Sequence, residues 1–211
     1  MKAPFSLASR LASRVSRYAA VVAALLFTGS ALLMADRIEG YSHVLHPLAM
    51  LGAKPLPGAD LFNLLAFVLP GVLVAWVAWR LRTMLPAAAR WPARIGAQLL
   101  LLSALAFALQ GVLPLDAGDL DGVRSSRHAA AWMVWWIAFA TGGLLLARGL
   151  RGAGGWQAIA STSLLAAVLV PLCALVLPNL LPAGIAQRLA FALWFVWAIH
   201  AGLAVSRAPQ P

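Results

Sequence analysis

The chain has 211 residues, of which 63% are hydrophobic and only 10% are charged. Soluble globular domains contain roughly 45–50% apolar and about 25% charged residues, so this chain has too little polar surface to cover itself in water. Its formal net charge is +10, but the basic residues lie in short turns between apolar runs, a distribution that argues against nucleic acid as a partner. The composition predicts an integral membrane protein with membrane lipids as its partners.

Six apolar runs follow one another, each near the roughly 20 residues that a membrane-spanning helix needs. They are continuous rather than alternating, which favours helices over the strands of a transmembrane barrel. The predicted spans are residues 18–35, 61–79, 95–113, 128–147, 156–177 and 185–205. We therefore expect an all-α bundle of six transmembrane helices over residues 18–205, between a basic segment at 1–17 and a tail at 206–211.

The start of the chain resembles a signal peptide, because a basic segment precedes an apolar run. The residues before Ala35 make a poor cleavage site, since Leu33 is bulky. The run is also at the long end for a signal peptide. We therefore expect the first helix to be retained.

Charge is divided unevenly between the two ends of the predicted bundle. Six spans place both termini on one side, and eleven of the sixteen basic residues fall there: Lys2, Arg10, Arg14, Arg17, Arg80, Arg82, Arg90, Arg94, Arg148, Arg151 and Arg207. The positive-inside rule then predicts that both termini are cytoplasmic, in a multi-pass protein of the bacterial inner membrane. All six acidic residues lie on the opposite, outer side, between the first and second spans or between the third and fourth.

The first outer loop, residues 41–63, is the longest polar interruption, and we expect it to lie against a second loop at 114–128. The two loops concentrate the polar residues of the chain. As candidate catalytic residues they offer Asp116, His128 and Ser42, which are the parts of a nucleophile, a base and an orienting carboxylate. The candidate ligand-binding residues are Tyr41, His43, His46, Asp60, Asn63 and Gln110.

A metal site is a weaker alternative at the same place. His43, His46 and His128 could supply three neutral imidazoles to a zinc ion, whose open fourth position would activate water. The spacing lacks the HExxH pattern that would make such a site specific. We therefore expect no cofactor, with zinc as the alternative. Outside the loops, His200 lies within the sixth span, where we expect its imidazole to bond to a neighbouring backbone carbonyl.

Several short motifs resemble one membrane family. They are Tyr-Ser at 41–42, Leu-Gly-Ala at 51–53, Pro-Gly-Ala at 57–59, Leu-Phe-Asn at 61–63, Leu-Pro-Gly at 69–71, GVLPLD at 111–116 and then His128. Over residues 18–205 the chain resembles the bacterial and archaeal membrane family known as domain of unknown function 998, although Leu113 replaces the usual phenylalanine. The resemblance implies six membrane helices and no established activity. The first-loop motifs are also similar to those of the eukaryotic Frag1/DRAM/Sfk1 proteins, some of which act in lipid remodelling.

The leading functional hypothesis is an inner-membrane protein with an outward-facing polar pocket that binds, or binds and modifies, a lipid or lipid-linked headgroup. Polar groups concentrate where a headgroup would lie, while no line of charge crosses the predicted bundle. Three alternatives stay open: a metal-dependent intramembrane hydrolase, a small-molecule transporter, and a structural subunit of a membrane complex. The sequence does not indicate whether the chain forms homo-oligomers or binds other proteins.

Overall fold

A computed structural model describes residues 7–207, with side chains from Leu11 onward. These residues form six helices that are long and apolar enough to cross a membrane, and no strand lies among them. The helices are α1 (Leu7–Ala35), α2 (Ala59–Met84), α3 (Trp91–Val112), α4 (Val123–Gly149), α5 (Gln157–Asn179) and α6 (Ala183–Arg207). The predicted fold class, an all-α membrane protein with six spans, is confirmed.

Most helices extend beyond the apolar runs that predicted them. The backbone of α2, for example, stays helical to Met84, five residues past the predicted end at 79. Arginine is a good helix former, so Arg80 and Arg82 continue the helix after the apolar side chains stop. Hydropathy marks the part of a helix that lies in lipid rather than the whole helix.

Each helix packs against its neighbours in the chain, and α6 closes the bundle by packing against α1 and α2. Two glycines let α3 and α4 approach each other closely, at Gly96 and Gly142. A Cβ on Gly96 would lie 2.5 Å from the backbone nitrogen of Leu146 and 2.6 Å from the carbonyl oxygen of Gly142. Small residues at this crossing allow the two backbones to touch, as is common between membrane helices.

An aromatic cluster fills the centre of the bundle. Phe107 of α3 stacks on Trp194 of α6, with ring centroids 4.5 Å apart, and Trp135 of α4 lies 5.1 Å from Phe191. Phe27 brings α1 into the same cluster, 5.0 Å from Phe195 of α6. Aromatic pairs at these distances contribute about 0.5–1.5 kcal/mol each beyond their buried area.

Two helices contain a π-helical turn beside a proline. In α2 the wide turn Leu64–Val68 lies between the α-helices Ala59–Asn63 and Leu69–Met84, just before Pro70. In α5 the wide turn Leu172–Val176 follows Pro171. Proline lacks the N–H that would close the preceding α-helical turn, and the adjoining wide turn lets both helices continue through it.

Candidate functional site

The two outer loops are joined to each other through their backbones. The N–H of Lys54 donates to the carbonyl of Leu115 at 2.9 Å, and the N–H of Ala117 donates to the carbonyl of Lys54 at 3.2 Å. Lys54 and Asp116 thus form a single parallel bridge. The expectation that the first loop lies against the second agrees with this geometry.

The acidic residues of these loops make contacts with residues close to them in the chain. An oxygen of Asp116 accepts from the N–H of Gly118 at 3.1 Å, which closes a short turn. Asp60 forms an ion pair with Lys54 at 2.5 Å, and 84% of the Asp60 side chain is exposed. The Ser125 hydroxyl donates to the carbonyl of Asp119 at 2.8 Å. These contacts shape the loops and leave Asp60 in contact with solvent.

His128 bonds to the end of α3 and not to Asp116. Its Nδ1 lies 2.8 Å from the carbonyl oxygen of Leu113 and 3.2 Å from that of Gln110. Because carbonyls only accept, Nδ1 carries the proton and donates to them. The last carbonyls of a helix have no partner within it, so buried His128 caps α3. The nucleophile–base hypothesis requires Asp116 to orient this imidazole, and in the structure it does not.

Asn63 and Gln110 are both buried. The amide of Asn63 donates to the carbonyl of Gly52 at 2.8 Å and so ties α2 to the first loop. This bond gives Asn63 a role in holding the loop in place. Gln110 is 1% exposed, and its Nε2 has no partner among the described residues.

The three histidines of the zinc alternative lie in different environments. Nδ1 of His46 accepts from the N–H of Ser42 at 2.9 Å, while His43 contacts α6 and His128 caps α3. Within the part of the chain that the structure describes, no group of three or more histidine, cysteine or acidic residues could hold one metal ion. The zinc hypothesis gains no support from this geometry.

Residues 41–46 instead fold around Arg188 of α6. Nη1 of Arg188 donates to the carbonyls of His46 at 3.1 Å and Gly184 at 2.7 Å. Its Nη2 donates to the Tyr41 hydroxyl at 2.7 Å and to Nδ1 of His43 at 3.0 Å. Tyr41, His43 and His46 thus come together around Arg188.

Gly184 provides the surface on which this loop rests. A Cβ there would lie 2.5 Å from the carbonyl oxygen of Val44 and 2.8 Å from those of His43 and His46. Two residues after His46, the N–H of Leu48 donates to the Gln187 side chain at 2.7 Å. The first turns of α6 therefore hold residues 41–48 in place.

The electrostatics around Arg188 are unusual, because all four of its partners are neutral. No carboxylate lies within 4 Å of it, since Lys54–Asp60 is the one ion pair among the described residues. Burial raises the pKa of Tyr41, and the nearby charge and hydrogen bond of Arg188 offset part of that rise. Tyr41 is therefore a neutral phenol at physiological pH, and the charge of Arg188 stays uncompensated.

A groove between α1 and α6 ends at this arginine. Its volume is about 480 Å³, within the range of about 300–1,000 Å³ typical of ligand sites. The walls are apolar apart from Thr28 and the residues at the outer end, Arg188 and His43. The residues that line it are Ala24, Phe27, Thr28, Ala31, Leu32, His43, Leu48, Arg188, Ala192, Phe195, Val196 and Ile199. Neither Asp116 nor His128 is among them.

A second cavity, of about 540 Å³, lies at the opposite end of the bundle and is lined by His200 and Arg207, among others. Nδ1 of His200 is 2.8 Å from the Thr162 hydroxyl, which itself donates to the carbonyl of Ala158. The partner of His200 is therefore a side chain on α5 and not the backbone carbonyl expected from the sequence. This pairing satisfies the histidine between two helices.

The family described as "Protein of unknown function (DUF998)" matches residues 17–204, so the chain belongs to that family. No curated protein and no solved structure matches the chain. The family membership agrees with six membrane spans and carries no activity, so the function has to be inferred from the site.

Proposed function

We propose that this member of the DUF998 family binds a membrane lipid in the groove between α1 and α6, with the headgroup at Arg188. The observation that carries the proposal is a long apolar groove with a single cationic end. A lipid has the same division into an apolar chain and a polar head. The proposal concerns binding and includes no chemical step.

The composition of the groove supports an acyl chain as its occupant. Phe27, Phe195 and Leu48 are buried and form the floor, while Thr28 and Val196 on the rims are exposed. Both walls belong to predicted membrane-spanning helices, so the exposed rims face lipid tails. An acyl chain that enters from the bilayer exchanges one apolar surrounding for another, and the headgroup then supplies the specificity.

The orientation of the chain supports a site in the outer leaflet. Arg188 lies at the end of the bundle that carries the acidic loops, and the arginine-rich turns lie at the other end. If the arginine-rich end is cytoplasmic, as the positive-inside rule indicates, the headgroup lies at the outer face of the inner membrane. The hydrolase, transporter and structural-subunit alternatives stay predictions that none of the contacts described above favours.

Photo-crosslinking with a lipid that carries a diazirine on its acyl chain tests the proposal. The purified chain in lipid nanodiscs is irradiated, and the labelled peptides are identified by mass spectrometry. We expect labelling to concentrate on α1 and α6 at Thr28 and Val196. Ala192→Trp places an indole in the groove and should reduce this labelling about tenfold, the equivalent of 1.4 kcal/mol.

Ala130→Trp is the matched control, because Ala130 is exposed on α4 and does not line the groove. This variant should label like the unchanged protein. Labelling spread evenly over the exposed faces of all six helices, or unaffected by Ala192→Trp, would count against a lipid site in the groove.

A further inference from the structure

We propose that the groove selects lipids whose headgroup is a phosphate with net negative charge, and that Arg188 and His43 are the residues that make this selection. The inference rests on the proposed function, since it names the ligand class of the same groove. It assigns a specificity-determining role to Arg188, which no comparison with other proteins supplies.

The first reason is the charge of Arg188. A guanidinium is protonated at any physiological pH, and here it contacts only two carbonyls, a phenol and a neutral imidazole. These acceptors hold the guanidinium in position without cancelling its charge. A charge at the end of an apolar groove is costly unless an ion of opposite sign approaches it.

The second reason is the number of donors left free. A guanidinium has five N–H groups, and the four contacts above involve only Nη1 and Nη2. Nε–H has no partner among the described residues. Because arginine can only donate, Nδ1 of His43 accepts and the imidazole proton lies on Nε2. The outer end of the groove therefore offers two further donors, Nε–H of Arg188 and Nε2–H of His43.

A phosphate group matches this arrangement. A phosphodiester has two non-bridging oxygens that share one negative charge, so each can accept from one donor, and arginine binds phosphate strongly. An ammonium on the same headgroup would gain nothing, because no carboxylate lies within 4 Å of Arg188 in the described part of the chain. An uncharged headgroup would leave the guanidinium uncompensated. The order of affinity expected is therefore anionic phospholipid, then zwitterionic, then neutral lipid.

Native mass spectrometry of the full chain in detergent measures this order directly. The probes have identical acyl chains: phosphatidylglycerol, phosphatidylcholine, diacylglycerol and the free fatty acid. We expect phosphatidylglycerol to bind about tenfold more tightly than phosphatidylcholine, and the preference to shrink as salt is added, since screening weakens charge pairing. Equal binding of phosphatidylglycerol and phosphatidylcholine would overturn the inference. Equal binding of phosphatidylglycerol and the fatty acid would overturn the assignment of phosphate.

Arg188→Gln should reduce the preference to about threefold or less, while Arg188→Lys, which keeps the charge, should retain part of it. Arg127→Gln removes one outer charge from an exposed position on α4 and is the matched control, with the preference unchanged. A preference that persists in Arg188→Gln would overturn the role of this arginine. The salt dependence and headgroup order of the unchanged protein test the selection even if Arg188→Gln does not fold.

Inorganic phosphate separates a lipid site from a site for the free ion. At millimolar concentration it should not displace phosphatidylglycerol, because the ion lacks the chain that fills the groove; displacement would show that the free ion is the ligand. This inference can also fail while the proposed function stands. In that case Ala192→Trp would reduce the binding of all lipids equally, and no headgroup would be preferred.

Discussion

Replacing Gly184 with alanine tests whether residues 41–48 rest on α6. The added Cβ would meet three carbonyl oxygens of that loop at 2.5–2.8 Å. Ordinary contact begins at 3.4 Å, so the loop backbone has to retreat by about 0.6–0.9 Å. Backbone cannot rotate away as a side chain can. The hydrogen bond from Arg188 to the His46 carbonyl, 3.1 Å long, should lengthen and weaken.

The expected cost follows from overpacking. Forcing an extra methyl group into a tight contact costs about 1–3 kcal/mol, and each kcal/mol lowers Tm by about 2–4 °C for a domain of about 150–250 residues. Gly184→Ala should therefore lower Tm by about 2–12 °C, measured by intrinsic fluorescence during heating in detergent. The preference for phosphatidylglycerol should fall with it, because His43 moves away from Arg188.

Gly29→Ala is the matched control, because Gly29 lies within α1 and no atom would lie within 4 Å of the added Cβ. It should leave Tm unchanged or raise it slightly, since alanine favours helix by roughly 0.5–1 kcal/mol over glycine. If Gly184→Ala were as stable as the unchanged protein and kept its headgroup preference, the loop would not lie on α6 as described.

Three further predictions concern the remaining polar residues. Asn63→Ala leaves the carbonyl of Gly52 unpaired and should destabilise the fold by about 1–3 kcal/mol, measured as a lower Tm. His128→Ala uncaps the end of α3 and should lower Tm by a similar amount, with lipid labelling of the groove unchanged. Burial raises the pKa of Tyr41, so with the other tyrosine changed to phenylalanine its phenolate should appear above pH 10 in ultraviolet absorbance. In Arg188→Gln that pKa should rise further, because Arg188 lowers it.

Each of these predictions has a result that contradicts it. An Asn63→Ala protein that lost lipid labelling with no change in Tm would make Asn63 a ligand residue. Loss of groove labelling in His128→Ala, at unchanged Tm, would show that His128 contributes to lipid binding and not only to capping α3. Because the folded pKa of Tyr41 is raised, its contribution to stability is present below pH 10 and is lost as pH rises through the folded value. A Tyr41 pKa lower than that of an exposed tyrosine would show that the charge of Arg188 outweighs the effect of burial.

The fold could be predicted because lipid as a solvent leaves few choices. Every backbone group within the bilayer must bond internally, so six long apolar runs can only be six helices. The proximity of the two outer loops also followed from the sequence, since the helices on either side of each loop bring them to one face. The first and last residues of the helices could not be predicted from hydropathy, because residues such as Arg80 and Arg82 are helical without being apolar.

The site was harder to predict, because its polar residues bind backbone groups. The sequence does not indicate that His128 caps α3. The carbonyls of Gln110 and Leu113 need a partner outside the helix only because α3 ends at Val112. The role of Arg188 was hidden for a related reason, because three of its four partners lie more than 140 residues away. The signal was present: a lone arginine within an apolar span, on the side of the bundle that carries the acidic residues.

The wide turn Leu64–Val68 makes this part of α2 tolerant of a change in length. A π-helical turn holds about one residue more than an α-helical turn over the same rotation. Deleting one residue there would let the turn close as ordinary α-helix and would keep Asn63 facing Gly52. A deletion in the α-helical part Leu69–Met84 would instead turn the outer end of α2 relative to its inner end by about 100°, the angle between successive residues of an α-helix.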